Sequence, residues 1–121
     1  DISVPVGRLP ELIERGGPLI ASLAPEGRLL PFGHVGDGNL HFNIMLPHDV
    51  PDLAALRERV QHAVCDLVQD LGGSISAEHG IGRAKARYLH LSRSDVEIAQ
   101  MRAIKHALDP TGILNPGVLL P

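Results

Sequence analysis

Three histidines, a glutamate and an asparagine lie in two short segments whose residue types suit metal and proton chemistry. The first segment runs Phe32-Gly33-His34-Val35-Gly36-Asp37-Gly38-Asn39-Leu40-His41-Phe42-Asn43. Two glycines and Asp37 separate His34 from His41, so the backbone can fold back tightly and bring both imidazoles together. Residues 39–45 alternate, with Leu40, Phe42 and Ile44 against Asn39, His41, Asn43 and Met45. His41 and Asn43 therefore share one face of a strand. The second segment is Gly72-Gly73-Ser74-Ile75-Ser76-Ala77-Glu78-His79-Gly80-Ile81-Gly82. Glu78 has the strand parity of Ser74 and Ser76, and its carboxylate completes a two-His-one-carboxylate set that keeps a metal position open. His79 follows directly, and a neutral imidazole is suited to proton transfer near neutral pH. Spacing alone leaves plainer readings open, with His41 an exposed strand residue and Glu78 the cap of a helix start. His48, His62, His90 and His106 read as solvated or capping residues, and Gly80-Ile81-Gly82 by itself is weak evidence of a phosphate loop.

The elements that must position these residues follow from periodicity. Ile2–Val6 reads as an edge strand because of Pro5. A helix over 9–24 is expected to break at Gly16-Gly17-Pro18. Arg28–Phe32 reads as a strand, 33–38 as a loop, and 39–45 as the best strand in the chain. Leu53, Leu56, Val60, Val64, Leu67 and Leu71 recur at helical spacing over 51–71. Ser74–Glu78 reads as a short strand, and Arg83–Leu89 as a basic helical segment. Ser94 with Glu97 forms a capping box for a helix to Leu108. Thr111–Pro121 reads as an extended tail. The order β-α-β-β-α-β predicts an α+β fold. It is a ferredoxin-like antiparallel sheet of four strands with helices on one face, followed by C-terminal helices and the tail, as a single domain over 1–121. The uncovered sheet face is where chemistry is expected.

The chain has 121 residues, 44% hydrophobic and 21% charged, with a formal net charge of −3. That length supports one core, and that balance is ordinary for a globular domain. The charge argues against a nucleic-acid or anionic-membrane surface, and 2% aromatic residues offer no stacking platform for bases. The single cysteine, Cys65, cannot form an intrachain disulfide and reads as a small buried apolar residue. There is no apolar run long enough to span a membrane and no secretory signal pattern, so a cytoplasmic chain is expected. The start at Asp1, without an initiator Met, suggests a domain cut from a longer protein.

These two segments, together with Leu108-Asp109-Pro110-Thr111-Gly112-Ile113-Leu114-Asn115-Pro116-Gly117, resemble the C-terminal domain of FAD-linked oxidases of the vanillyl-alcohol oxidase type. That group includes enzymes acting on D-lactate, glycolate and D-2-hydroxyglutarate. The resemblance implies oxidation of a 2-hydroxy acid to a 2-keto acid with hydride transfer to FAD. It implies a divalent metal, zinc by first expectation, on His34, His41 and Glu78. It assigns substrate contact to Asn43, the catalytic base to His79, and a place near the flavin to Asn115. The expected partners are the small 2-hydroxy-acid substrate and the FAD-binding domain of the parent protein, with a homo-oligomer left open. Without that flavin domain the chain is expected to be inactive. Two rival readings remain at this level: a stand-alone ferredoxin-like metal-binding or regulatory module, and a metal-dependent hydrolase using Glu78 and His79.

Overall fold

Residues 39–45 form the central strand of an antiparallel sheet, as their alternation requires. The computed structural model describes residues 1–120 and separates into two units, Asp1–Glu78 and His79–Pro121. The first unit contains β1 (Ile2–Ser3), α1 (Leu9–Leu23), β2 (Arg28–His34), β3 (Asn39–Met45) and α2 (Leu53–Asp70). Among the described residues the sheet has three strands in the order β1-β3-β2, and both neighbours run antiparallel to β3. β1 and β2 are thus parallel but not adjacent, which is the split βαβ arrangement. Leu40 and Phe42 are buried on one face of β3, while Asn43 and Met45 are exposed on the other.

The fourth strand expected at Ser74–Glu78 is reduced to a bridge between Ser74 and Ser3. Side chains take the backbone donors that a ladder would have used. Ser74 Oγ accepts weakly from Ser76 N–H at 3.4 Å and donates to Ser76 O at 2.9 Å. The Asp1 carboxylate accepts from the N–H groups of Ala77 at 3.0 Å and Glu78 at 3.1 Å. Such local bonds compete directly with sheet pairing. The bridge nevertheless sits beside β1, where a ferredoxin-like fourth strand belongs.

α1 is continuous, contrary to the expected break. Leu9, Leu12, Gly16 and Ile20 form its buried stripe. Gly16 lets the helix close onto the sheet, because a Cβ there would lie 2.5 Å from Cζ of Phe42. Pro18 is exposed on the same side as Glu14, so the carbonyl it leaves without an N–H partner faces water rather than the core. α1 packs against α2, whose Leu56, Val60, Val64, Leu67 and Val68 are buried with Cys65. Leu12, Ile20 and Val68 are almost wholly buried, and each such side chain contributes about 1.5–3 kcal/mol. Asp52 caps α2 by accepting from Ala55 N–H at 3.1 Å.

The second unit carries a 3₁₀ helix over Ala86–Leu91, within and just beyond the basic helical segment expected at Arg83–Leu89, and α3 over Asp95–Leu108. The capping box forms: Ser94 Oγ accepts from Glu97 N–H, and Glu97 Oε2 accepts from Ser94 N–H at 2.8 Å. Over the described residues 111–120 the tail is folded into turns rather than extended, and Pro121 lies outside the described residues. The buried Asp109 carboxylate accepts from Ile113 N–H at 3.0 Å and Leu114 N–H at 2.9 Å, and also from Lys105 Nζ. No helix among the described residues is long and apolar enough to cross a membrane.

Candidate metal centre

The β2–β3 hairpin brings the two site histidines together by register. His34 pairs with Asn39, and Phe32 pairs with His41, so all four side chains lie on one face of the sheet. The 3₁₀ turn over Val35–Asp37 closes on Gly38, at φ 69°. Gly38 also lets Val4 come close: its carbonyl accepts from Val4 N–H at 3.0 Å, and a Cβ would stand 2.0 Å from Val4 O. The His34 and His41 ring centroids are 6.0 Å apart and nearly perpendicular, and Phe32 packs against His41 at 5.1 Å.

Glu78 completes the cluster from the far end of the unit. His34 Nε2 lies 3.3 Å from Glu78 Oε1. The ligating atoms of His34, His41 and Glu78 all lie within 4.8 Å of one another. Bond lengths of about 2.0–2.2 Å at tetrahedral angles put neighbouring zinc ligands about 3.3 Å apart. The His34–Glu78 pair already has that spacing, and modest side-chain rotation can bring in the rest. Side-chain exposures of 59% for His34 and 47% for Glu78 leave the cluster open on one side. Two imidazoles and a carboxylate with an open side can hold a divalent cation and admit a further oxygen ligand.

Asn43 lies two residues beyond His41 on the same face and is exposed. His79 opens the second unit and is exposed. Asn115 stands in the tail of that unit at φ 48°, its carbonyl accepting from Val118 N–H at 3.2 Å. It borders a hollow with Arg102, Lys105 and His106. The Asp109 carboxylate lines the same hollow and pairs with Lys105. The Lys105 ammonium, ahead of the opposing cost of burial and with help from the Leu114 and Ile113 amides, holds the Asp109 carboxyl below the usual carboxylate range.

Two residues were missed in the sequence. Asn39 is buried and its Nδ2 donates to Glu78 Oε1. Its signal was present, since it shares parity with His41 and Asn43 and follows Gly38. Asp1 orders the backbone of the Glu78 segment from 77 residues away, and no local pattern could have announced that contact.

The model of the FAD linked oxidases, C-terminal domain, matches residues 1–119. The chain is 44% identical over 119 residues to the D-2-hydroxyglutarate dehydrogenase of Stutzerimonas stutzeri, covering 97% of this chain and 26% of that protein. It is 43% identical over 121 residues to the D-2-hydroxyglutarate dehydrogenase of Xanthomonas citri pv. viticola, covering 98% of this chain and 26% of that protein. With the mitochondrial D-2-hydroxyglutarate dehydrogenase of Danio rerio it shares 40% identity over 121 residues, covering 100% of this chain and 22% of that protein. The chain thus spans about a quarter of the length of the curated relatives it matches.

Proposed function

Because this chain belongs to the family of FAD linked oxidase C-terminal domains, we propose that it is the substrate- and metal-binding part of an FAD-dependent 2-hydroxy-acid dehydrogenase. The 2-hydroxy acid of first choice is D-2-hydroxyglutarate, the substrate in the names of the relatives. The convergence of His34, His41 and Glu78 on the uncovered sheet face carries this reading. Residues 1–121 act as one substrate-side module, and the FAD-binding part lies elsewhere in the parent protein.

His34, His41 and Glu78 hold a divalent metal, zinc by preference for this donor set. When bound, the metal supplies Lewis acidity that lowers the pKa of a coordinated hydroxyl. FAD supplies the acceptor for the hydride that leaves Cα with two electrons. The chain's own residues do the rest. Asn43 orients the substrate by hydrogen bonding from the same face as the metal ligands. His79 takes the hydroxyl proton on an imidazole nitrogen, so the hydroxy acid becomes a keto acid with every proton and electron accounted for. Asn115, bordering the hollow with Arg102, contacts the flavin from the side of this module.

The test compares the isolated chain with the full-length protein on D-2-hydroxyglutarate, D-lactate and glycolate, using an artificial electron acceptor. The full-length protein should turn over at least one of the three, with the isolated chain inactive and free of flavin absorption. Turnover by the isolated chain, or none of the three acids oxidised by a flavin-loaded full-length protein, overturns the reading.

A further inference from the structure

We infer that Asn39 is a positioning residue for the metal centre: its side-chain amide fixes the carboxylate of Glu78 toward His34 and His41. The inference rests on the proposed metal role of those three residues and extends it to a fourth.

Asn39 begins β3 directly opposite His34 and is only 4% exposed. Its Nδ2 donates to Glu78 Oε1, the same oxygen that lies 3.3 Å from His34 Nε2. Glu78 itself is half exposed and lies outside any helix or strand, so no regular element sets its rotamer. The buried amide supplies that constraint. A carboxylate that is already hydrogen-bonded loses less conformational freedom when a cation arrives, and groups that orient metal ligands are a regular part of such sites.

The amide also carries a penalty. Asn39 Oδ1 is buried without a hydrogen-bond partner among the described residues, a state that costs stability. An apolar side chain of similar volume would avoid that penalty, as Leu40 and Phe42 do on the opposite face. Asn39 is therefore a poor choice for packing and a good one for holding a carboxylate.

The experiment measures Zn(II) affinity by competition with a chromophoric chelator, and Co(II) binding by visible absorption. Both are run on the wild-type protein, N39L, N39D and E78Q, with thermal melts of the metal-free proteins alongside. N39L removes donor and orphan acceptor together, so its metal-free form should melt at or above the wild-type temperature. Its Zn(II) affinity should nevertheless fall about 10–100-fold, the usual effect of losing a group that orients a ligand. N39D keeps the shape but opposes two carboxylates, and it serves if N39L fails to fold. E78Q should lose more affinity than either, with a changed Co(II) spectrum. Wild-type Zn(II) affinity in N39L or N39D, beside a weakened E78Q, overturns the role of Asn39 and leaves the metal centre standing. Wild-type affinity in E78Q removes Glu78 from the centre, and the inference falls with it.

Discussion

Replacing Gly16 by alanine tests how α1 is held against the strand that carries His41 and Asn43. In an exposed helix interior, Gly→Ala stabilises by about 0.8–1.0 kcal/mol. At Gly16 the new methyl would sit 2.5 Å from Cζ of Phe42, where carbon atoms prefer about 3.5–4.0 Å. Closing a shortfall of about 1 Å in a packed core means moving the Phe42 ring or the helix, at a cost of about 1–3 kcal/mol. The two terms oppose each other, so G16A should come out between neutral and about 2 kcal/mol less stable. F42L shortens the obstructing side chain. The G16A/F42L double variant should therefore show a favourable coupling of about 1 kcal/mol or more, because contacting residues do not add independently. Urea denaturation of the four proteins closes the cycle, read by far-ultraviolet circular dichroism. Zn(II) affinity adds a functional readout, since a displaced Phe42 moves its neighbours His41 and Asn43 on β3. A G16A protein stabilised by the full helix-propensity gain, with no coupling to F42L, would refute the claim that Gly16 exists to admit Phe42.

Other outcomes follow from the same geometry. The Asp109 carboxyl is held low first by the Lys105 ammonium, and the Glu97 carboxyl by the Ser94 backbone N–H and then its hydroxyl. Depressed folded-state values mean that this stability is complete above the ordinary values of 3.8 and 4.5 and drains away as pH falls below them. A melting temperature that does not fall through that window in the wild type, or that falls as steeply in the D109N/E97Q variant, contradicts the assignment. H79A in the full-length protein should lower kcat by about 100-fold or more, with a smaller change in substrate affinity, and a wild-type pH–rate profile would exclude His79 as the base. N43A should raise KM by about 10–100-fold, as expected for a lost hydrogen bond to a charged substrate, and an unchanged KM removes Asn43 from the substrate contacts.

Much of this arrangement was legible in the sequence because it is written in short-range pattern. The alternation over 39–45, the helical spacing of α2 and the Ser94–Glu97 capping box each depend on residues a few positions apart, and each forms as expected. The hairpin that brings His34 and His41 together was signalled by its glycines. The failures share one cause, which is that tertiary contacts decide them. The break expected in α1 does not occur because Gly16 is needed against Phe42 and Pro18 faces water. The strand expected at Ser74–Glu78 yields to the Asp1 carboxylate and the Ser74 hydroxyl. The tail is drawn into turns by Asp109, whose partners include two amides beyond Pro110. Asn39 shares the parity of His41 and Asn43, but its burial against Glu78 depends on a contact 39 residues away.

The central claim is that His34, His41 and Glu78 together would hold one divalent metal ion. Its most direct test is elemental analysis of the full-length protein after exhaustive dialysis, for the wild type, H34A and H41A, each shown by circular dichroism to be folded. The account predicts close to one equivalent of a divalent transition metal in the wild type, with zinc the leading candidate, and loss of most of it in both variants. Equal metal content in all three proteins would contradict it.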